Sequence, residues 1–371
     1  HSMRRGQGMA ASVMGVIRKN IARMQGYVPG EQPAADGFIK LNTNENPYPP
    51  SPRVAAALAE EASRLQLYPD PMAARLRARI AGLCNVPVDQ TLAGNGSDEL
   101  LTIAVRTFAD AGDLVASPSP TYTLYATLCG IQGARYVAVP YRDDYSLNPS
   151  LIPSRARLVF VANPNSPSGT VVPEETLARI ASSISGVLVV DEAYVDFARG
   201  NCAGLLQSHK NVVILRTLSK SYSLAGLRVG YALADRAIIA EFAKVKDSYN
   251  VSRMAIAGGL AALEDVEWMK ENARKIVATR KRLAARLERL GFFVFPSESN
   301  FVLARISSYP AGQIYTYLKN RRILVRYYDT PRLRDCLRIS VGTDDEIERL
   351  LEQIAEIIGS KGGGGPTGGR R

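Results

Sequence analysis

The chain has 371 residues, 46% hydrophobic and 22% charged, with 46 basic against 35 acidic residues and a formal net charge of +11. This is globular composition, which excludes a disordered chain, and no apolar run approaches the roughly 18 residues that span a bilayer. The longest run, 254–263, stops at Glu264-Asp265. Five of the positive charges (Arg4, Arg5, Lys361, Arg370 and Arg371) lie in terminal segments without acidic residues. No dense Lys/Arg stripe is interleaved with aromatics, so neither nucleic acid nor membrane is expected as a partner. A cationic pocket for small anions accounts for the remaining charge equally well.

Cys84, Cys129, Cys202 and Cys336 are far apart, with no C-x-x-C. This argues against a zinc site or a disulfide framework and suits a reducing compartment. His1, in His1-Ser2-Met3, reads as an expression scar, which leaves His209 as the one credible histidine. A Ser-His-Asp hydrolase or a multi-histidine metal enzyme would rest on it alone.

Taken in chain order, Arg4-Arg5 ahead of 9–17 resembles a signal peptide only faintly and reads as a helix or arm of the mature protein. The prolines of 46–52 predict an ordered, extended connection. Apolar spacing predicts helices over 53–65, 72–83 and 98–108, the last opening on acidic residues as a helix N-terminus favours, with Tyr122 opening another. Short continuous apolar runs at 158–162, 187–190 and 212–215 predict strands buried on both faces of a parallel sheet, with a helix over 173–184 between them. A long amphipathic helix follows over 266–290. Short strands at 292–295, 301–304, 323–326 and 337–341 then alternate with helices over 311–321 and 344–358. The expected fold is α/β, a large unit with a mostly parallel central sheet sandwiched by helices and a smaller α+β unit. The expected division is an N-terminal arm with part of the small domain (1–45), a large domain (46–265), a C-terminal small domain (266–360) and a glycine-rich disordered tail (361–371).

Five segments carry residues suited to chemistry. Thr217-Leu218-Ser219-Lys220-Ser221-Tyr222 follows a buried strand directly, and ligands of open α/β sheets bind at the carboxyl ends of strands. Arg228, eight residues after Lys220, can lower the lysine pKa or grip a phosphate; a surface lysine in a loop is the plain alternative. Asp191 ends the strand Val187-Leu188-Val189-Val190. It resembles a Walker B aspartate, but no G-x-x-x-x-G-K-S/T accompanies it. A buried carboxylate needs a partner charge, and a protonated heterocyclic nitrogen would serve. Gly94-Asn95-Gly96-Ser97-Asp98 before a helix makes an anion cradle from free N–H groups, though it is not G-x-G-x-x-G. Tyr122, after Ser117-Pro118-Ser119-Pro120-Thr121, can stack on a planar ring or pack in the core. Asn163-Pro164-Asn165-Ser166-Pro167-Ser168-Gly169 is a turn or a site.

In this order the segments resemble the fold-type I aminotransferases that use pyridoxal 5'-phosphate (PLP), from about Tyr27 to Glu356. Leu41-Asn42-Thr43-Asn44-Glu45-Asn46-Pro47 and Cys336-Leu337-Arg338-Ile339-Ser340-Val341-Gly342 are similar to the histidinol-phosphate aminotransferase branch. The resemblance implies that Lys220 carries the cofactor and moves the proton, and that Asp191 pairs with the pyridinium nitrogen. It gives the phenolic oxygen to Tyr194 and ring stacking to Tyr122. It assigns the phosphate to Gly96, Ser97, Asp98, Ser219 and Arg228. It also implies a homodimer in which Tyr68 reaches the other subunit's cofactor, with Arg338, Arg326 and Tyr27 binding substrate. The implied reaction passes an amino group between glutamate and imidazole-acetol phosphate in cytoplasmic histidine biosynthesis. An aromatic or broad-range aminotransferase, or a phospho-amino-acid decarboxylase, is the alternative. One departure stands out. The family's loop is N-N-P-T-G, whereas here Ser166 replaces the second asparagine and Ser168 the threonine. Either Asn165 takes the cofactor contact through a shifted loop, or Ser166 does.

Overall fold

A computed structural model describes residues 15–359. The expression scar, the N-terminal arm up to residue 14 and the glycine-rich tail lie outside the described residues. Twelve strands are present among them: β1 Ile39–Leu41, β2 Thr91–Gly94, β3 Leu114–Ser119, β4 Arg135–Pro140, β5 Leu158–Ala162, β6 Val187–Asp191, β7 Val212–Thr217, β8 Gly230–Ala234, β9 Phe293–Val294, β10 Phe301–Arg305, β11 Ile323–Tyr327 and β12 Cys336–Ser340. They form a seven-stranded sheet in the order β2-β8-β7-β6-β5-β3-β4 and a five-stranded sheet in the order β1-β11-β12-β10-β9.

In the large sheet β4, β3, β5, β6 and β7 run parallel, whereas β8 is antiparallel to both β7 and β2. Every residue of β5 and β6 is buried. Strands buried on both faces have no polar side to alternate with, so these segments read as unbroken apolar runs. Their side chains still alternate between two cores. Val159, Val161, Leu188, Val190, Val212 and Ile214 join one core, with Leu177 and Ile180 of the helix Glu174–Ser183. Leu158, Phe160, Val187, Val189, Val213 and Leu215 join the other, with helices Ser97–Phe108, Leu124–Gln132 and Arg236–Val245.

The same alternation governs two adjacent acids at the end of β6. Asp191 falls on the face of Val189, where the Tyr125 hydroxyl donates to it. Glu192 falls on the opposite face. It accepts from Arg216 Nε at 2.8 Å and from the Cys202 backbone N–H at 2.5 Å.

The small sheet has its own core, in which Leu41, Val302, Val325 and Ile339 meet Ile314, Leu318, Leu350 and Ile354. β1, from the N-terminal part of the chain, pairs parallel with β11. The helix Val266–Arg289 joins the two regions: Met269, Ala273 and Ile276 pack with Phe197, while Leu283 and Leu287 enter the small core.

Several sequence expectations need correction. The helix expected over 53–65 is Pro52–Glu61 followed by a 3₁₀ turn, and Tyr122 does not open a helix, since that helix begins at Leu124. β2, β3, β4 and β8 were not expected. β3 contains Pro118, β4 is an edge strand that opens on Arg135, and β2 and β8 are rich in alanine and glycine, so none shows a β-branched apolar run.

Replacing Arg216 with Met leaves the Glu192 carboxylate buried and unpaired, and should lower stability by about 3–5 kcal/mol. The double variant Arg216→Met/Glu192→Met should recover most of that loss. Urea unfolding of the cofactor-free proteins measures both.

Candidate active site

Parallel register sets the ends of β5, β6 and β7 level, with Ala162 opposite Asp191 and Asp191 opposite Leu215. These ends open into one cavity of about 770 Å³, lined by residues that follow each strand and closed over by Asn42–Glu45, Arg326, Tyr328 and Arg338 of the small-sheet region.

Asp191 lies at its base. Its Oδ2 accepts from Tyr125 OH at 2.7 Å and its Oδ1 from the Ala193 N–H at 3.2 Å. Among the described residues no cation reaches ion-pair distance. Burial therefore pushes its pKa up from 3.8 to about 6, although the Tyr125 hydrogen bond acts the other way. Lys220 opens into the same cavity. Its Nζ donates to the Thr43 carbonyl at 3.3 Å and lies 5.7 Å from the Tyr194 ring centroid. Burial first, then the charges of Arg338 and Arg228, lower its pKa to about 8 against the opposing pull of Asp98 and Glu45. A reactive amine and a carboxylate without an ion-pair partner thus face one space.

At one end Arg228 Nη1 donates to Ser219 Oγ at 3.2 Å, and Nη2 lies 3.4 Å from Asp98 Oδ2. Gly96 has φ 77°, and a β-carbon there would stand 2.6 Å from Arg228 Nη2. The glycine therefore gives the guanidinium its place and the turn its conformation. The Asp98 carboxylate is also engaged by Tyr122 OH at 3.2 Å. An anion at this helix start is left with the backbone N–H groups of Ser97 and Asp98, the Ser219 hydroxyl and Arg228.

At the other end Arg338 Nη2 donates to the Asn42 carbonyl at 2.7 Å and Nη1 to Ser166 Oγ at 3.2 Å. Its Nε is buried without a partner, so the guanidinium retains donor capacity. Arg326 lies over the Tyr328 ring at 5.1 Å. Tyr27 packs edge-on against Tyr122, ring centroids 5.8 Å apart.

Two sequence-derived residues lie elsewhere. Asn165, 1% exposed, does not line the cavity. Its Oδ1 accepts from Thr121 Oγ1, while its Nδ2 donates to the Pro120 carbonyl and Ser168 Oγ. The asparagine thus ties its loop to the loop after β3, and Ser166 is the polar side chain of its loop that lines the cavity, beside Pro164 and Pro167. Tyr68 is 76% exposed, stacked on Tyr249 at 4.4 Å, and also absent from the cavity wall. Conversely, Thr43, Asn44, Glu45, Tyr125, Tyr328 and Arg332 line the cavity without having been singled out for it. For Thr43, Asn44 and Glu45 the available signal was the Asn-rich motif itself.

The donor set matches a cofactor with a phosphate group at one end, a carbonyl within reach of an amine, and a ring cation for Asp191. Residues 36–354 match the aminotransferase class I and II family, and the chain belongs to it. It is 46% identical over 344 residues to the histidinol-phosphate aminotransferase of Rippkaea orientalis, covering 93% of this chain and 99% of that protein. It is 47% identical to the one from Rhodopirellula baltica, covering 92% and 96%. The crystal structure of histidinol-phosphate aminotransferase from Sinorhizobium meliloti in complex with pyridoxal-5'-phosphate superposes with a TM-score of 0.86 at 29% identity, covering 93% of this chain and 98% of that one.

A carboxyl whose folded pKa is raised destabilises the cofactor-free fold progressively as pH climbs from 3.8 through about 6. Asp191→Asn, which keeps an oxygen for Tyr125, should therefore stabilise the cofactor-free protein at pH 7 by about 2–3 kcal/mol. The advantage should fade toward pH 4, and melting curves at the two pH values provide the check.

Proposed function

We propose that the protein is a PLP-dependent aminotransferase that passes an amino group between glutamate and imidazole-acetol phosphate, yielding histidinol phosphate and 2-oxoglutarate in histidine biosynthesis. The observation that carries this reading is the Lys220 amine and the Asp191 carboxylate facing one cavity, with arginines at both ends. The names of the relatives supply the substrate.

When bound, PLP supplies an aldehyde to receive the amino group and a ring that draws electrons from the substrate's α-carbon. Asp191 holds the proton on the ring nitrogen, and the cation there relieves the carboxylate of its lone burial. Gly96, Ser97, Asp98, Ser219 and Arg228 form the phosphate cradle, with the Asp98 carboxylate holding Arg228 and its N–H facing the anion. Tyr122 flanks the ring and Tyr194 donates to its phenolic oxygen. Lys220 Nζ, whose ammonium form burial and the nearby arginines disfavour, would take a proton from the α-carbon and return one. Arg338 binds the carboxylate of glutamate through its remaining donors. Arg326 helps to hold the acidic end of either substrate, and Tyr27 closes the pocket against water. A guanidinium accepts carboxylate and phosphate alike, which suits a site that must take two dissimilar anions in turn. Tyr68, exposed on this chain, serves the second copy in a cytoplasmic homodimer.

Lys220→Ala should lower turnover by at least about 10³-fold, near the loss of a general base. Arg338→Met should lower kcat/KM for glutamate by one to two orders of magnitude, about the loss of hydrogen bonds to a charged group. Steady-state assays with histidinol phosphate, phenylalanine and threonine phosphate in parallel decide the substrate. Histidinol phosphate should dominate; preferred turnover of phenylalanine would replace this substrate assignment.

A further inference from the structure

Asn44 stands behind Tyr194, where the two sheets meet. It is 2% exposed and has φ 57°, a left-handed conformation that asparagine tolerates better than most residues with a β-carbon. Four hydrogen bonds fix it. Its backbone N–H donates to Ser340 Oγ at 2.9 Å, and its Oδ1 accepts from the same hydroxyl at 2.8 Å. Its carbonyl accepts from Asn300 Nδ2 at 2.8 Å, and its Nδ2 donates to Tyr194 OH at 3.0 Å.

The direction of the last bond follows from the others. The two ends of an amide are told apart by their partners. Ser340 Oγ receives a proton from the Asn44 backbone and gives its own to Oδ1. The NH₂ group must therefore face Tyr194. The tyrosine receives a hydrogen bond on one side and keeps its own proton for the cavity it lines.

That proton carries unusual weight in this chain. Ser166 stands where the family's loop has asparagine, and its hydroxyl accepts from Arg338. Asn165 is turned away from the cavity onto Pro120, Thr121 and Ser168. Tyr194 and the Ser166 hydroxyl, which keeps its own proton, are the side chains left for the phenolic oxygen.

We infer that Asn44 is a positioning residue: by donating to Tyr194 it makes the tyrosine a one-way donor to the ring oxygen of bound PLP, and so holds down the proton affinity of the cofactor. The inference rests on the PLP reading above. A donor aimed at an anionic oxygen stabilises the anion, and a donor behind that donor strengthens it further.

The test is a spectrophotometric pH titration of PLP-loaded protein. Asn44→Asp keeps the acceptor for Ser340 but presents an oxygen to Tyr194, so the tyrosine proton turns away from the cavity. The midpoint of the PLP absorbance change should rise by about one pH unit, a tenfold change in proton affinity. It should approach the value in Tyr194→Phe, and the double variant should rise no further than Tyr194→Phe alone. Asn44→Gly tolerates the positive φ and removes the donor without adding a buried charge. It should shift the midpoint in the same direction, and it carries the test if the aspartate variant does not fold. A merely structural role would lower melting temperatures and leave the midpoint in place. Wild-type midpoints in the folded Asn44 variants alongside a raised midpoint in Tyr194→Phe would overturn the role of Asn44 alone. Wild-type protein that binds no PLP, or an unmoved midpoint in Tyr194→Phe, would overturn the cofactor contact and the role of Asn44 with it.

Discussion

The Asp191 carboxylate is the constraint around which the site is arranged. The fold removes it from water, gives it one hydroxyl and one backbone N–H, and among the described residues brings no cation to ion-pair distance. Such a group costs stability until a ligand completes it. The neighbouring strand delivers the complementary feature, a lysine whose ammonium form is disfavoured by burial and by two arginines. Each group is poised by what its surroundings withhold. The pair is held level by the parallel register of β6 and β7, so the chemistry of the cavity is a direct consequence of strand pairing in the large sheet.

The small-sheet region contributes the other half. β12 carries Arg338 and Ser340 on one face, two residues apart as strand geometry requires. Arg338 reaches Ser166 of the large-sheet region, and Ser340 reaches Tyr194 through Asn44. With the roles proposed for Arg338 and Asn44, substrate recognition and cofactor polarisation hang on the same short strand. Any rotation of the small-sheet region relative to the large one disturbs both together, which couples the grip on a carboxylate to the electronics of the ring.

Legibility in the sequence followed physical rules. β5, β6 and β7 stood out because burial on both faces removes every polar interruption, and Asp191 and Lys220 followed because chemistry collects at strand ends. β3 and β4 escaped notice because proline and an edge position erase that signature. Asn165 was misplaced because nothing local tells that a loop amide turns from the cavity toward a loop some 45 residues away. Tyr125 looked like any buried aromatic residue; only the fold shows its hydroxyl aimed at Asp191. Asn44 was visible as part of a motif, but its partners lie 150, 256 and 296 residues away along the chain, so the role inferred for it emerges only when the two regions are assembled.

The pleat at the end of β6 has a further consequence. Asp191 and Glu192 are chemically near twins, yet one serves the cavity and the other clamps Arg216 beneath the sheet. Only the parity of the strand distinguishes them. Loss of one residue upstream within β6 would bring Glu192 to the place of Asp191, move Asp191 back to the place of Val190 on the other face, and set Ala193 where Arg216 now meets its acid. Length changes in this strand should therefore be purged from descendants of this gene.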